Sequence, residues 1–264
     1  MKFRPCIDLH SGKVKQIVGS TLTTTGSSDT LLVENFATDR PAASFARQYR
    51  QDGLVGGHVI LLGPGNTEAA KAALLAYPNG LQVGGGMTDE SAASWIDAGA
   101  SHVIVTSFLF NDVGELQKDR LEALVGAVGK DKLVLDLSCR RKPEESDEGE
   151  YYVVTNKWQT FTNVVVTAET LSILGQYCDE FLVHGVDVEG KQCGILQDLV
   201  ILLGEASPIP VTYAGGVRSL EDMELVKQLG QGKVDLTIGS ALDCFGGTLS
   251  YDEVVAWHKN ENKK

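Results

Sequence analysis

The chain has 264 residues, 43% hydrophobic and 22% charged, with 35 Asp and Glu against 23 Lys and Arg for a formal charge of −12. A surface of that sign repels nucleic acid and acidic membranes, so an anionic ligand must be held by local donors rather than by a general basic field. The five cysteines, Cys6, Cys139, Cys178, Cys193 and Cys244, are scattered without a C-x-x-C pair. That pattern argues against a disulfide framework or a zinc site and predicts a reduced intracellular protein. No apolar run approaches the roughly 20 residues of a membrane span, and with Met1 to Pro5 leading straight into a strand no targeting segment is expected within this sequence.

Phe3 to Leu9 predicts strand one, the turn His10-Ser11-Gly12-Lys13 leads into a second extended arm, Val14 to Val18, and the polar stretch Gly19 to Asp29 is loop. Pro41 suits a first helical turn and opens a helix through Phe45 and Tyr49 to Gly53. Strand two is His58 to Leu62, its exit loop Gly63-Pro64-Gly65-Asn66, and the Ala-rich helix from Thr67 to Tyr77 is ended by Pro78-Asn79-Gly80. Strand three ends in Gly84-Gly85-Gly86, before a helix from about Thr88 to Ala98. Strand four ends at Thr106-Ser107, before a helix from about Glu115 to Val125. Strand five, Lys132 to Ser138, is an apolar run that carries one acid, Asp136.

The pattern then changes. A charged run from Arg140 to Glu150 is followed by the alternating Tyr151 to Thr155 and by Asn156-Lys157-Trp158-Gln159. This is too long for an ordinary connection of a few residues and predicts a mobile, functional loop containing a hairpin. A helix from about Thr167 to Cys178 leads to strand six, Phe181 to Val186, with the exit loop Asp187 to Gly194. A helix around Leu196 to Leu203 precedes strand seven, Val211 to Ala214, and Ser219 with Asp222 three residues on caps the next helix. Strand eight, Val234 to Ile238, ends at Gly239-Ser240, and a helix from Tyr251 to Lys259 follows.

Several segments occur twice, about 130 residues apart, far beyond a solenoid period of about 20–50 residues. Cys6-Ile7-Asp8-Leu9 is echoed by Val134-Leu135-Asp136-Leu137, Val83-Gly84-Gly85-Gly86 by Tyr213-Ala214-Gly215-Gly216, and Val105-Thr106-Ser107 by Ile238-Gly239-Ser240. Eight apolar strands alternating with helices predict a parallel sheet buried on both faces. At this length that is an α/β protein with a (β/α)8 TIM barrel and a two-fold half-barrel repeat. With no Pro- or Ser-rich linker, residues 1–264 are expected as a single barrel, with half-barrels at about 1–130 and 131–264. A dinucleotide fold would want G-x-G-x-x-G after strand one, where it is absent.

In such a barrel the functional groups collect at the C-terminal ends of the strands. Asp8 and Asp136 end strands one and five, on opposite sides of the ring, where two carboxylates can divide general acid and general base work if their environments separate them. A single acid there would be read as a loop cap; a matched pair points to catalysis. Gly215 and Gly216 with Gly239 and Ser240 form the usual barrel phosphate site, and Gly85 and Gly86 with Thr106 and Ser107 would form a second one half a turn away. Two such sites flanking two acids imply a long substrate with a phosphate at each end. Trp158 either closes over a flat ring or anchors its loop. His184 is either a donor to substrate or a core histidine with its ring N–H satisfied. Cys139 and Cys193 have no His partner in sequence, which argues against nucleophilic catalysis.

At the segments C-I-D-L-H-S-G-K-V-K-Q, L-Q-V-G-G-G, V-I-V-T-S, L-V-L-D-L-S-C-R, N-K-W-Q-T, V-D-V-E-G, Y-A-G-G-V and D-L-T-I-G-S-A-L-D, the chain resembles the eukaryotic branch of the ProFAR isomerase family of histidine biosynthesis. The resemblance implies an Amadori rearrangement of a bisphosphorylated substrate, with neither metal nor organic cofactor. One Asp opens the aminoaldose ring by protonating its oxygen and the other removes the C2 proton. By position Asp8 is the base and Asp136 the acid, roles the two could exchange. His184 stands where bacterial members usually have Thr, Gln16 where they have Arg, and L-L-G-P-G-N replaces D-L-D-G-A. The rival readings are the cyclase of imidazole glycerol phosphate synthase, a lyase, and a non-catalytic sugar-phosphate sensor. A monomer is expected, binding neither nucleic acid nor membrane, in the plastid stroma if the source is a plant and otherwise in the cytoplasm.

Overall fold

Residues 1–17, 34–142 and 149–263 are described by the computed structural model; Val18, the expected loop at 19–29 and residues 143–148 of the charged run lie outside the described residues. The first half of the chain runs β1 (Cys6–His10), β2 (Lys13–Ile17), β3 (Glu34–Thr38), α1 (Ala42–Asp52), β4 (Gly57–Leu61), α2 (Thr67–Ala76), β5 (Leu81–Gly84), α3 (Asp89–Asp97), β6 (Val103–Val105) and α4 (Lys118–Val128). The second half runs β7 (Leu133–Asp136), β8 (Cys139–Arg141), β9 (Tyr151–Thr155), β10 (Thr160–Val165), α5 (Ala168–Leu174), β11 (Glu180–His184), α6 (Gln197–Ala206), β12 (Val211–Ala214), α7 (Leu220–Leu229), β13 (Val234–Thr237) and α8 (Tyr251–Glu261).

Eight of these strands are parallel neighbours in the order β1, β4, β5, β6, β7, β11, β12, β13. The ring closes where Phe3 bridges Leu236 in parallel, with Arg4 N–H donating to the Leu236 carbonyl at 2.8 Å and Leu236 N–H to that of Lys2 at 2.9 Å. Alternate residues of each strand serve two cores. Ile7, Val59, Val83, Val103, Leu135 and Phe181, all fully buried, belong to the cluster that takes in the helices. Ile104, Val134, Leu182 and Ala214, with Ile60 packed on them, fill the barrel itself. Burial on both faces is why these strands read as continuous apolar runs, and each such side chain contributes about 1.5–3 kcal/mol.

The N-terminal end of the barrel is polar and paired. Arg4 meets Glu180 at 3.3 Å and Asp235 at 2.9 Å, while Gln82 and Thr212 donate to the two Glu180 oxygens at 3.2 and 2.8 Å. The apolar plug above this floor pushes the open space, and so the site, to the C-terminal ends.

Ser219 caps α7 by accepting the Asp222 N–H at 3.3 Å, and α1 follows Pro41 and ends at Gly53 in the left-handed region, φ 74°, both as expected. Some boundaries differ. The helix expected from Glu115 starts at Lys118, because Asn111 Oδ1 accepts the N–H groups of Val113 at 3.2 Å and Glu115 at 2.8 Å and holds a turn there. Val186, expected in strand six, begins a short 3-10 turn (Val186–Val188) instead. β3 was not anticipated; it pairs with β2, Val14 facing Thr38.

Candidate active site

The register of the ring places the functional side chains. Asp8 pairs with Ile60 across β1 and β4, and Asp136 with Leu182 across β7 and β11. Each acid is the inward-facing residue above the apolar plug. Both line one cavity of about 370 Å³ together with Gly85, Thr106, Ser107, Trp158, His184 and Glu189.

The two acids have unlike surroundings. Among the described residues, Asp8 Oδ2 accepts one hydrogen bond, from Gln16 Nε2 at 2.8 Å. Burial, with repulsion from Glu189, raises its carboxyl to about 7 against the smaller opposing pull of His184 and Gln16. Asp136 accepts from Ser138 Oγ at 2.8 Å and Thr106 Oγ1 at 3.2 Å, and its Oδ1 lies 3.2 Å from His184 Nδ1. Burial opposes its ionisation, yet the His184 charge and the bonds from His184, Ser138 and Thr106 outweigh it and hold Asp136 below the usual carboxylate range. His184 mirrors this: burial would lower it, but Asp136, Glu189 and Asp8 raise it to about 9.

Trp158 sits at the tip of the β9–β10 hairpin, where Asn156, Lys157 and Trp158 have φ of 52°, 57° and 65°. Three successive non-glycine residues in the left-handed region form a strained turn of the kind that persists where the surroundings fix it. It brings the indole to 6.0 Å from the His184 ring, centroid to centroid, at 43°. The hairpin is tied down by Val154 N–H to the Ser138 carbonyl at 2.8 Å, Asn163 N–H to that of Gly114 at 3.1 Å and the Tyr151 hydroxyl to Asp198 at 2.9 Å, and β8 beside it by the Cys139–Gly185 bridge.

The echoed glycines share one backbone conformation: Gly85 and Gly86 have φ of 102° and 71°, Gly215 and Gly216 of 125° and 76°. These angles favour glycine, and a Cβ on Gly216 would also collide with the Gly194 carbonyl. The two expected phosphate sites are nevertheless not equally open. Gly85, Thr106 and Ser107 line the main cavity, whereas Gly215, Gly216, Gly239 and Ser240 line a separate crevice of about 20 Å³ with Gly190 and Gln192. Gln192 donates to the Ser240 carbonyl at 2.7 Å, and Gly194 N–H to that of Gly216 at 2.9 Å. The exit loop of β11 thus lies against the second site. Gly86 lines neither space.

Glu189, which lines both spaces, was missed in the sequence. Its carboxyl is raised, first by burial and further by Asp136, against the pull of His184. An acid in a strand-exit loop, in V-D-V-E-G, was the available signal. Ser138 was also missed. Cys6, Asp8 and His58 offer metal-ligating atoms within 4.8 Å of one another. Burial pushes the Cys6 thiol well up and His58 down to about 3, so at neutral pH they are a protonated thiol and a neutral imidazole.

A family model described as histidine biosynthesis protein matches residues 2–249. The chain is 54% identical over 264 residues, 99% of its own length and 83% of the relative's, to a chloroplastic 1-(5-phosphoribosyl)-5-((5-phosphoribosylamino)methylideneamino)imidazole-4-carboxamide isomerase of Medicago truncatula. Isomerases of the same description from Neurospora crassa (52% over 263 residues, 98% of this chain and 99% of theirs) and Saccharomyces cerevisiae (44% over 265 residues, 98% and 99%) are also similar. On a family match over nearly the whole length and plant and fungal relatives about half identical to it, the chain belongs to the histidine biosynthesis protein family, in the eukaryotic branch of its ProFAR isomerases.

Proposed function

We propose that the protein converts ProFAR, an aminoaldose with a phosphate at each end, to the aminoketose PRFAR by an Amadori rearrangement, with Asp8 and Asp136 as the proton-transferring pair. The observation that carries this is one cavity at the C-terminal ends of the strands holding both acids in opposite electrostatic settings. An acid near 7 can take a proton and return it at neutral pH, which suits a base acting at C2. Asp136, across the same cavity and beside His184 and two hydroxyls, faces the side of the substrate where the ring oxygen must be protonated. The substrate's own nitrogen delocalises the developing charge, so the residues named here are sufficient for the chemistry.

Gly85, Gly86, Thr106 and Ser107 bind one phosphate, and Gly215, Gly216, Gly239 and Ser240 the other, through backbone N–H groups and hydroxyls. Trp158 closes over the aminoimidazole and excludes water. The whole of 1–264 is one barrel, two similar halves of about 1–130 and 131–264, acting as a monomer. It works in the plastid stroma if the source is a plant and in the cytoplasm otherwise. Among the described residues no helix is long and apolar enough to cross a membrane.

Incubating the purified protein with ProFAR, without ammonia or a glutaminase, tests the reading: the aminoketose should accumulate alone. A requirement for ammonia would indicate the cyclase, and binding without turnover a sensor. The relatives carry the isomerase description, which favours the first outcome.

A further inference from the structure

We propose that the acid of the ring-opening step is the Asp136–His184 pair acting together, with His184 as a positioning residue that holds the proton Asp136 delivers. The inference rests on the Amadori reading above. β11 lies beside β7 with Leu182 paired to Asp136, so His184, two residues further along, projects on the same inner face one side-chain spacing above. The two side chains meet at 3.2 Å, Nδ1 to Oδ1, each only 13% exposed. Ser138 Oγ ties them together, 2.8 Å from Asp136 Oδ1 and 3.4 Å from His184 Nδ1.

A carboxylate that accepts from Ser138, Thr106 and His184 is stabilised in its ionised form. As it stands it has no proton to give. The charged groups facing His184 come from every side: Asp8 on β1, Asp136 on β7 and Glu189 in the turn after β11. His58 on β4 is pushed down to about 3 by burial and His184, so it stays neutral. Lys157 at the hairpin tip lines the same cavity. Three carboxylates against one imidazole keep His184 charged through neutral pH. The missing proton is therefore one hydrogen bond away.

The protons balance without a co-reactant. The His184 Nδ1 proton crosses to Asp136 and on to the ring oxygen; the C1–O bond breaks with its electron pair left on oxygen, and the nitrogen lone pair forms the C1=N bond. Asp8 takes the C2 proton, and those electrons form C1=C2 while the C1=N pair returns to nitrogen. Asp8 then returns its proton to C1 as the C2 hydroxyl becomes the carbonyl, and that hydroxyl proton restores the pair.

Imidazole NMR of the native protein, with the His184 signal identified by its loss in His184→Gln, reads the charge directly. We expect His184 to titrate above pH 8 and to fall by at least one unit in Asp136→Asn. In the assay, native enzyme should show an alkaline limb in its kcat profile, and His184→Gln should lose that limb and lower kcat about 10-fold or more with KM within about twofold. A His184 signal that titrates near 6.5 and ignores Asp136→Asn, or a His184→Gln enzyme with native kcat and profile, overturns the pairing. If Asp8→Asn and Asp136→Asn also keep full activity, the assignment of the two acids fails with it, and if native protein forms no aminoketose from ProFAR the Amadori reading itself fails; if the two Asp variants are inactive while His184→Gln is native, only the pairing does.

Discussion

The matched strand ends of the first and second parts of the barrel are alike in backbone and unlike in chemistry. Gly85-Gly86 and Gly215-Gly216 adopt the same left-handed turn after equivalent strands, and Asp8 and Asp136 occupy equivalent strand ends. Yet, among the described residues, one acid has a single donor and is pushed up to about 7, while the other has three partners and is held down. Repetition supplies two carboxylates at one mouth; the neighbours of each, drawn from unrelated segments, make them different. A symmetric scaffold with symmetric acids could not separate a proton donor from a proton acceptor.

Replacing either acid tests that comparison most severely. Asp8→Asn and Asp136→Asn should each lower kcat at least ~100-fold, since general acid–base groups contribute about 10²–10⁴. Steady-state kinetics with ProFAR at pH 7.5, a solution condition of about neutral, checks it. Full activity in either variant would remove that acid from the chemistry.

The glycine pairs should break unequally. Gly86 is at φ 71° with open space where a Cβ would go, so Gly86→Ala brings only backbone strain. That strain is about 1–2 kcal/mol of stability, and the melting temperature should fall by about 2–8 °C. Gly216, at φ 76°, adds the collision with the Gly194 carbonyl, and Gly216→Ala should lower the melting temperature by several degrees more, about 1–3 kcal/mol of further destabilisation. Equal losses would mean that the exit loop of β11 yields freely.

The barrel was legible in the sequence because its strands are apolar runs ending in Gly, Ser or Asp, and the echo across the halves located both acids. Trp158 and His184 were singled out, but what they meet was not. The ring contact between them depends on a left-handed turn at Asn156-Lys157-Trp158, residue types with no strong demand for that geometry. β3, E-N-F-A-T, has no alternating apolar pattern and is a strand through its pairing with β2. Glu189 and Gln16 are ordinary polar residues until folding brings them to the acids. Local periodicity reports which face is buried, and pairwise electrostatics between distant segments leaves no such trace.

Stability should respond to the two acids with opposite sign. Asp8 has a folded pKa raised from 3.8 to about 7, so its contribution favours the fold below 3.8 and is lost as pH rises to 7. Asp136 has a lowered folded pKa, so its contribution is present at neutral pH and is lost as pH falls through the acid range. At pH about 8, above both folded values, Asp8→Asn should therefore raise the melting temperature and Asp136→Asn should lower it. For a chain of this size each kcal/mol corresponds to about 2–4 °C. Thermal melts that shift in the same direction would show that the two carboxylates share one environment.

The smallest expected effect isolates the Gln16 bond to Asp8. Gln16 Nε2 bonds the ionised carboxylate at 2.8 Å and so opposes the rise that burial and Glu189 impose. In Gln16→Leu that opposition is gone, and the Asp8 pKa moves further up. On the proposed role of Asp8 as the ionised base, the acidic limb of the kcat profile should shift to higher pH by a fraction of a unit, about 1 kcal/mol or less. The alkaline limb, set on the other side of the barrel, should stay in place. A shift of both limbs together would mean that the proton inventories of the two halves are one coupled system, and that the difference between Asp8 and Asp136 belongs to the pair rather than to either residue.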